Sequence, residues 1–154
     1  MESERKERIK QKISEIKLQT DNKTKAKLEL DKCVRITEKM ETFSADCEDC
    51  DKYLNELEIY FEELPKRVKH LSKEDFATHH KKMQELTSHL QKTHHLIPEN
   101  YYMSVYMSIG ISIGLLFGLF LFDNIALGLP IGMILGIAIG TGLDRDAEKK
   151  GKTI

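Results

Sequence analysis

The chain has 154 residues with 24 Lys and Arg against 25 Asp and Glu, so its formal net charge is −1, and its mean hydropathy is −0.41. These averages combine two unlike segments, because residues 1–99 carry 20 basic and 21 acidic side chains, whereas residues 100–143 carry one charged side chain, Asp123. Such a split argues against a single soluble globule, and the absence of a net basic face argues against a nucleic-acid partner.

Residues 1–98 predict a cytoplasmic domain of antiparallel, coiled-coil-like helices. Residues 1–99 contain no Gly and are rich in Lys, Glu and Leu, a composition that favours helix. A first amphipathic segment, residues 1–20, places Ile9, Ile13 and Ile16 on one face and bends or ends near Asp21. A second, residues 23–42, carries its apolar positions at Leu30, Cys33 or Val34, Thr37 and Met40.

The third helix has the clearest pattern, because its apolar positions follow intervals of three and four residues. They are Cys47, Cys50, Leu54, Leu57, Phe61 and Leu64, a spacing typical of helices that pack side by side. We expect this helix to end at Pro65. Ser72 and Asp75 then predict the N-terminal capping box of a fourth helix, which ends at Pro98. Its expected apolar face is Phe76, His80, Met83, Leu90, His94 and Ile97.

The charges of these helices alternate along the chain. Residues 1–40 have a net charge of +4, residues 41–64 of −8, and residues 65–99 of +3. An acidic helix between two basic ones is expected to contact both, although each exposed ion pair contributes at most about 1 kcal/mol. The alternative is an acidic face that binds a basic cytoplasmic protein partner.

Two cysteines form a Cys-x-x-Cys motif, Cys47 and Cys50, within the heptad pattern. In an antiparallel hairpin these thiols come near His94, so a zinc site with Cys33 as a fourth ligand is one interpretation. We favour core packing without any metal or cofactor, because a free thiol packs well at buried positions. A redox pair is a third interpretation, although a cytoplasmic location disfavours lasting disulfides.

All six histidines lie within 26 positions next to the apolar segment: His70, His79, His80, His89, His94 and His95. Histidine changes charge near physiological pH, so a pH sensor is conceivable. However, His80 and His94 fall on the apolar side of the predicted helix, whereas His89 and His95 do not. This scatter favours mixed packing and exposure over one titrating cluster.

Residues 99–144 predict a transmembrane hairpin with spans at about 101–122 and 125–143. A helix rises about 1.5 Å per residue, so each uncharged stretch is long enough to cross a hydrocarbon core of about 30 Å. The tail, residues 145–154, is rich in Lys and Arg, whereas the connection at Asp123 and Asn124 has no cation. The positive-inside rule therefore predicts a cell-membrane protein with both termini in the cytoplasm.

Seven glycines recur every four residues in the two spans: Gly110, Gly114 and Gly118 in the first, and Gly128, Gly132, Gly136 and Gly140 in the second. Residues four apart share one helix face, so each span presents a groove where another backbone can approach closely. We expect either that the two grooves pair within one hairpin or that they mediate self-association. The two arrangements are compatible.

This segment resembles the glycine-zipper membrane hairpins of small bacterial proteins, over about residues 100–144. The resemblance implies an integral membrane location, contact with the lipid bilayer and oligomers, but it carries no activity.

Three serines, Ser104, Ser108 and Ser112, form a hydroxyl stripe that would line a polar path, bond to the other span or bond to its own backbone. With no Asp, Glu, Lys or Arg inside either span, transport coupled to an intramembrane charge is not expected.

No nucleophile or phosphate-binding motif is present, so we expect no enzyme. The first functional hypothesis is a membrane-anchored helical scaffold. The alternatives are an oligomeric pore-forming or membrane-perturbing effector and a juxtamembrane metal or pH sensor.

Overall fold

The computed structural model describes the backbone of residues 2–154 and the side chains of residues 4–68, 70–121 and 123–154. Over this range the chain is all-α and forms no strand, as the sequence predicts; Met1, the first residue of the first predicted segment, lies outside the described residues. The helices are α1 (Glu2–Gln19), α2 (Asn22–Leu28), α3 (Leu30–Ser44), α4 (Glu48–Arg67), α5 (Lys73–His94), α6 (Tyr101–Phe122) and α7 (Ile125–Lys149), with a 3-10 turn at Val68–His70. The chain divides into two compact units, one ending at His95 and including Ile154, the other Leu96–Thr153.

Helices α1, α3, α4 and α5 form a bundle in which consecutive members run in opposite directions. The acidic α4 forms ion pairs with the basic helices α1 and α5, the arrangement that the charge pattern predicts. Among the described residues, the ion pairs between these helices are Lys6–Glu41, Lys10–Glu38 and Lys17–Asp31 (α1 and α3), Arg5–Asp51 and Arg8–Glu58 (α1 and α4), and Lys82–Glu56 (α5 and α4), with N···O distances of 2.6 to 3.1 Å.

The predicted apolar faces of α1 and α4 form the core of this bundle. Ile9, Ile13 and Ile16 are at most 1% exposed, and Phe61 is fully buried. Cys50, Leu54, Leu57 and Leu64 are also buried. Each fully buried aliphatic or aromatic side chain contributes roughly 1.5–3 kcal/mol relative to exposure, so these faces account for much of the stability of the bundle.

The predicted continuous helix over residues 23–42 is wrong, because Glu29 interrupts it in a left-handed conformation with φ 44°. Leu28 and Leu30 are both buried, at 1% and 2% exposure. On a regular helix, residues two positions apart are rotated by about 200° about the helix axis and so lie on nearly opposite faces. The left-handed residue between them turns both leucines toward the core.

The end of α4 and the start of α5 were both predicted from the sequence. The predicted end of α4 at Pro65 is wrong by two residues, since the helix continues to Arg67; in the last turn, the missing N–H of proline removes only one helical hydrogen bond. The predicted capping box is confirmed: Ser72 Oγ accepts a hydrogen bond from the Asp75 N–H at 3.1 Å, and Asp75 Oδ2 accepts one from the Ser72 N–H at 2.8 Å.

The predicted fourth helix is wrong at its end and in the first part of its apolar face. It ends at His94, where His95 adopts a left-handed conformation with φ 53°, so Ile97 and Pro98 lie outside it. The structure buries His79 and exposes His80. The buried positions are His79, Met83, Leu86 and Leu90, which follow intervals of four, three and four residues. The predicted face began at Phe76, which is only half-buried. A position four residues after Phe76 is His80, so the prediction selected the residue next to the histidine that is buried.

Helices α6 and α7 form an antiparallel hairpin with a two-residue connection. Asp123 has a left-handed conformation, φ 47°, which ends α6 and reverses the chain. The Asn124 N–H donates to the Gly118 carbonyl at 2.9 Å, and Asn124 Oδ1 accepts a hydrogen bond from the Ala126 N–H at 3.0 Å. Asn124 therefore caps both helices at the turn.

Candidate functional site

The seven glycines of the predicted repeat all lie between α6 and α7, where each faces backbone of the other span or of the turn. A Cβ atom added at any of them would contact that backbone. The contacts are Gly110 with Gly132, Gly114 with Gly128, Gly118 with Gly128 and Asn124, Gly136 with Tyr106 and Met107, and Gly140 with Met103. Both glycine rows therefore lie inside one hairpin.

The approach at these positions is too close for any side chain. A Cβ atom on Gly114 would lie 2.5 Å from the Gly128 carbonyl oxygen and 2.9 Å from Gly132 Cα. Ordinary van der Waals contacts of a Cβ atom begin near 3.4 Å. Gly142 is outside the four-residue repeat, and a Cβ atom there would have no atom within 4 Å. The close contact is a property of the repeat rather than of glycine in α7 generally.

Asp144 fixes the open end of the hairpin. Its two carboxylate oxygens accept hydrogen bonds from the Tyr102 N–H at 2.9 Å and the Met103 N–H at 2.8 Å. Asn100, at the N-cap position of α6, makes no side-chain capping bond, so the carboxylate from α7 replaces it. This role of Asp144 was not predicted, although in a hairpin with arms of similar length Asp144 falls opposite the start of α6.

The outer surface of the hairpin is apolar. Only 17% of the most apolar stretch of α6 and 22% of that of α7 is buried, so these are not core helices of a soluble fold. The exposed large side chains include Ile109, Ile113, Leu116, Phe117, Phe120, Leu121, Leu127, Ile131, Ile134, Leu135 and Ile139. Both helices are long and apolar enough to cross a membrane.

The serine stripe of α6 bonds to its own helix. The hydroxyls of Ser104, Ser108 and Ser112 donate to the carbonyl oxygens of Asn100, Ser104 and Ser108, at 3.0, 2.9 and 3.0 Å. The sequence allowed a polar path, bonds to the other span or bonds to its own backbone. These hydrogen bonds correspond to the third of these roles.

In the bundle, Cys33 lies away from Cys47 and Cys50, so its interpretation as a fourth ligand beside them is wrong. Its sulfur is 3.8 Å from His79 Nε2 and 3.5 Å from Met83 Sδ. Cys33 is near the start of α3, whereas the Cys-x-x-Cys motif packs against the opposite end of α5. Burial raises the pKa of the Cys33 thiol to about 12.

His79 is a hydrogen-bonded core residue. Its Nε2–H donates to the Leu28 carbonyl at 2.8 Å, and its Nδ1 accepts from the Tyr60 hydroxyl at 2.8 Å. The Leu28 carbonyl also accepts a hydrogen bond from the Cys33 thiol at 3.4 Å. Burial, the largest effect, lowers the pKa of His79 below its ordinary value, and the bond to Leu28 partly opposes this. His79 is therefore neutral at physiological pH.

Residues 98–146 match a family model described as Glycine zipper membrane protein. The match covers α6 and most of α7 and agrees with the resemblance seen in the sequence. No curated protein and no solved structure matches the chain significantly. The family match and the two exposed apolar helices together identify a membrane protein with two candidate spans.

Proposed function

We propose that this chain is a membrane-anchored helical module, in which the α6–α7 hairpin lies in the bilayer and helices α1–α5 present a protein-binding surface in the cytoplasm. One observation carries the proposal. The large apolar side chains of the bundle are enclosed, with Leu18 and Ile59 as its exposed exceptions among the described residues, whereas those of the hairpin face outward. Lipid is the solvent that such an outward apolar surface requires.

A binding role fits the polar interior of the bundle better than catalysis does. Its buried polar residues are Thr37, Ser44 and His79 among the residues described. Thr37 and Ser44 donate to backbone carbonyls one turn earlier in the same helix, and His79 is bonded on both ring nitrogens. The hydrogen bonds of these three residues stabilise the fold. A partner would therefore contact the exposed charged faces of the helices.

The cytoplasmic placement of both termini is supported by the charge distribution. Arg145, Lys149, Lys150 and Lys152 follow the second span, and the Asp123–Asn124 connection has no cation. Replacing both connecting residues by lysine should reduce insertion or reverse the topology, whereas replacing both by serine should not. Protease digestion of sealed right-side-out and inverted vesicles measures the outcome. Digestion of the bundle in right-side-out vesicles of the natural sequence would contradict the proposed topology.

The glycine contacts favour closure of the hairpin within one chain. Because the groove of each span is filled by the other span, self-association would have to use the exposed apolar faces instead. A mass measurement of the detergent-solubilised protein gives its oligomeric state, and a pair of dyes on the two spans reports whether the hairpin is closed. We expect the hairpin to stay closed in the monomer, and a hairpin that opens when oligomers dissociate would contradict the assignment.

A pore is distinguished by leakage. Vesicles reconstituted with the full-length protein should retain an entrapped dye. Leakage from vesicles that contain the natural sequence would instead support a pore and overturn the anchor role.

A further inference from the structure

The bundle brings together four side chains of the kind that bind transition metals. Cys47 is the N-cap residue of α4 and Cys50 lies in its first turn, whereas His89 and His94 lie in the last part of α5. Since α4 and α5 are antiparallel, these two ends meet. One sulfur or nitrogen atom from each residue lies within 4.8 Å of every other.

The distances between these atoms suit a tetrahedral ion. With Zn–S of about 2.3 Å and Zn–N of about 2.0 Å, tetrahedral geometry places S and N ligand atoms roughly 3.5 Å apart. His89 Nε2 is 3.5 Å from Cys47 Sγ and 3.4 Å from Cys50 Sγ, and His94 Nε2 is 3.2 Å from Cys50 Sγ. An ion at the centre therefore requires only small side-chain movements.

The spacing along the chain is also typical of zinc ligands. Structural zinc sites commonly use Cys pairs separated by two to four residues and His pairs separated by three to five. Here two residues separate the cysteines and four separate His89 from His94. Because His89 lies outside the apolar face predicted for α5, this histidine pair was not predicted.

Both imidazole rings are held with Nε2 toward the sulfurs. The other nitrogen of His89, Nδ1, is 3.5 Å from the Thr93 hydroxyl, the type of outer contact that selects the metal-binding tautomer. The His94 ring stacks on Phe43 at a centroid distance of 3.9 Å, and Tyr53 packs against His89 at 5.2 Å. A solvent-open cleft, lined by Arg5, Asp46 and Asp51 among others, reaches one of the four residues, Cys47.

We propose that Cys47, Cys50, His89 and His94 bind one Zn²⁺ ion as a structural site that joins the start of α4 to the end of α5. Two thiols lose their protons on binding, so the two thiolates neutralise the charge of the ion and two protons leave to solvent. The four protein ligands close the coordination sphere, which makes the site structural rather than catalytic. This inference does not depend on the proposed anchor role.

The test uses full-length protein purified in detergent under reducing conditions and stripped of metal with a chelator. Titration with Zn²⁺ should give one bound ion per chain. Titration with Co²⁺ should give the visible bands of tetrahedral coordination together with sulfur-to-cobalt charge transfer. Zn²⁺ added afterwards should remove both signals.

Single substitutions show whether these residues are the ligands. Cys47→Ser and His89→Gln should each weaken Zn²⁺ binding by more than the roughly 10–100-fold that loss of an outer contact costs. Thr93→Val should weaken it within that range. The matched controls are Cys33→Ala and His80→Gln, which remove a thiol and an imidazole outside the cluster and should leave the affinity unchanged.

The proposal would be overturned by no Zn²⁺ binding by the reduced protein, by a Co²⁺ spectrum without sulfur coordination, or by equal affinity in Cys47→Ser, His89→Gln and the controls. A Cys47–Cys50 disulfide in protein isolated under reducing conditions would also overturn it and would favour a redox pair. Circular dichroism of each variant checks that the helices remain. If Cys47→Ser fails to fold, His89→Gln and the Co²⁺ spectrum of the natural sequence still decide the result.

Discussion

Replacing Gly114 by alanine puts a methyl group against the backbone of α7. The new Cβ atom would lie 2.5 Å from the Gly128 carbonyl oxygen. Restoring ordinary contact requires the spans to separate locally by about 1 Å, and a gap of that size loses about half of the dispersion energy of the atoms involved. Because lipid supplies no hydrophobic attraction between helices, this packing is a main source of their association.

We expect Gly114→Ala to destabilise the closed hairpin by about 1–3 kcal/mol, the usual cost of forcing a methyl group into a packed interface. The matched control is Gly142→Ala, which adds a methyl group in open space. Any gain in helix propensity, up to about 1 kcal/mol, is shared by the two variants. The difference between them therefore isolates the packing.

The assay follows separation of the spans in full-length protein as a denaturing detergent is titrated into mild micelles. Donor and acceptor dyes on unnatural residues at Val105 and Ile139, two exposed positions near the open end, report the distance between the spans. Equal midpoints for Gly114→Ala and Gly142→Ala would refute the reasoning, because the close contact would then contribute nothing to closure.

Three further predictions concern single residues. Asp144→Ala should destabilise the same hairpin by about 1–3 kcal/mol, because the N–H groups of Tyr102 and Met103 lose a charged acceptor; an unchanged midpoint in the dye assay would count against this capping. The stability of the bundle should fall as the pH drops below about 6.5, because the unfolded state takes up a proton that buried His79, with its lowered pKa, resists; hydrogen exchange of α3 and α5 measured against pH should show this fall, and it should be smaller in His79→Gln. Glu29→Gly should stabilise the bundle by up to about 1 kcal/mol by removing the strain of a left-handed residue; slower hydrogen exchange in α2 and α3 is the expected sign, and faster exchange would contradict it.

Much of the helical architecture follows from sequence patterns whose physical cause is local. The heptad of α4 and the Ser72–Asp75 capping box depend on residues a few positions apart, so the sequence contains the whole signal. The glycine repeat is similar, since a four-residue period defines a face without reference to the partner helix. These features were predicted with their residues, except that Cys47, the first position of the predicted heptad, is the half-buried N-cap residue of α4.

The remaining features depend on contacts between distant segments. No Gly or Pro marks the break at Glu29 in the sequence. The break is determined by burial of Leu28 and Leu30 on either side of it. His79 could be distinguished from His80 only through Leu28 and Tyr60, which lie on other helices. Likewise, His89 joins Cys47 and Cys50 because α5 packs along α4 in one register, and the helical face predicted for α5 alone excluded it.

The most direct measurement is the behaviour of the full-length protein when membranes from cells that produce it are washed at alkaline pH without detergent and then sedimented. A hairpin whose apolar side chains face lipid should keep the chain in the pellet and release it only on detergent addition. Recovery of the chain in the supernatant after the alkaline wash would contradict membrane insertion and, with it, the anchor function.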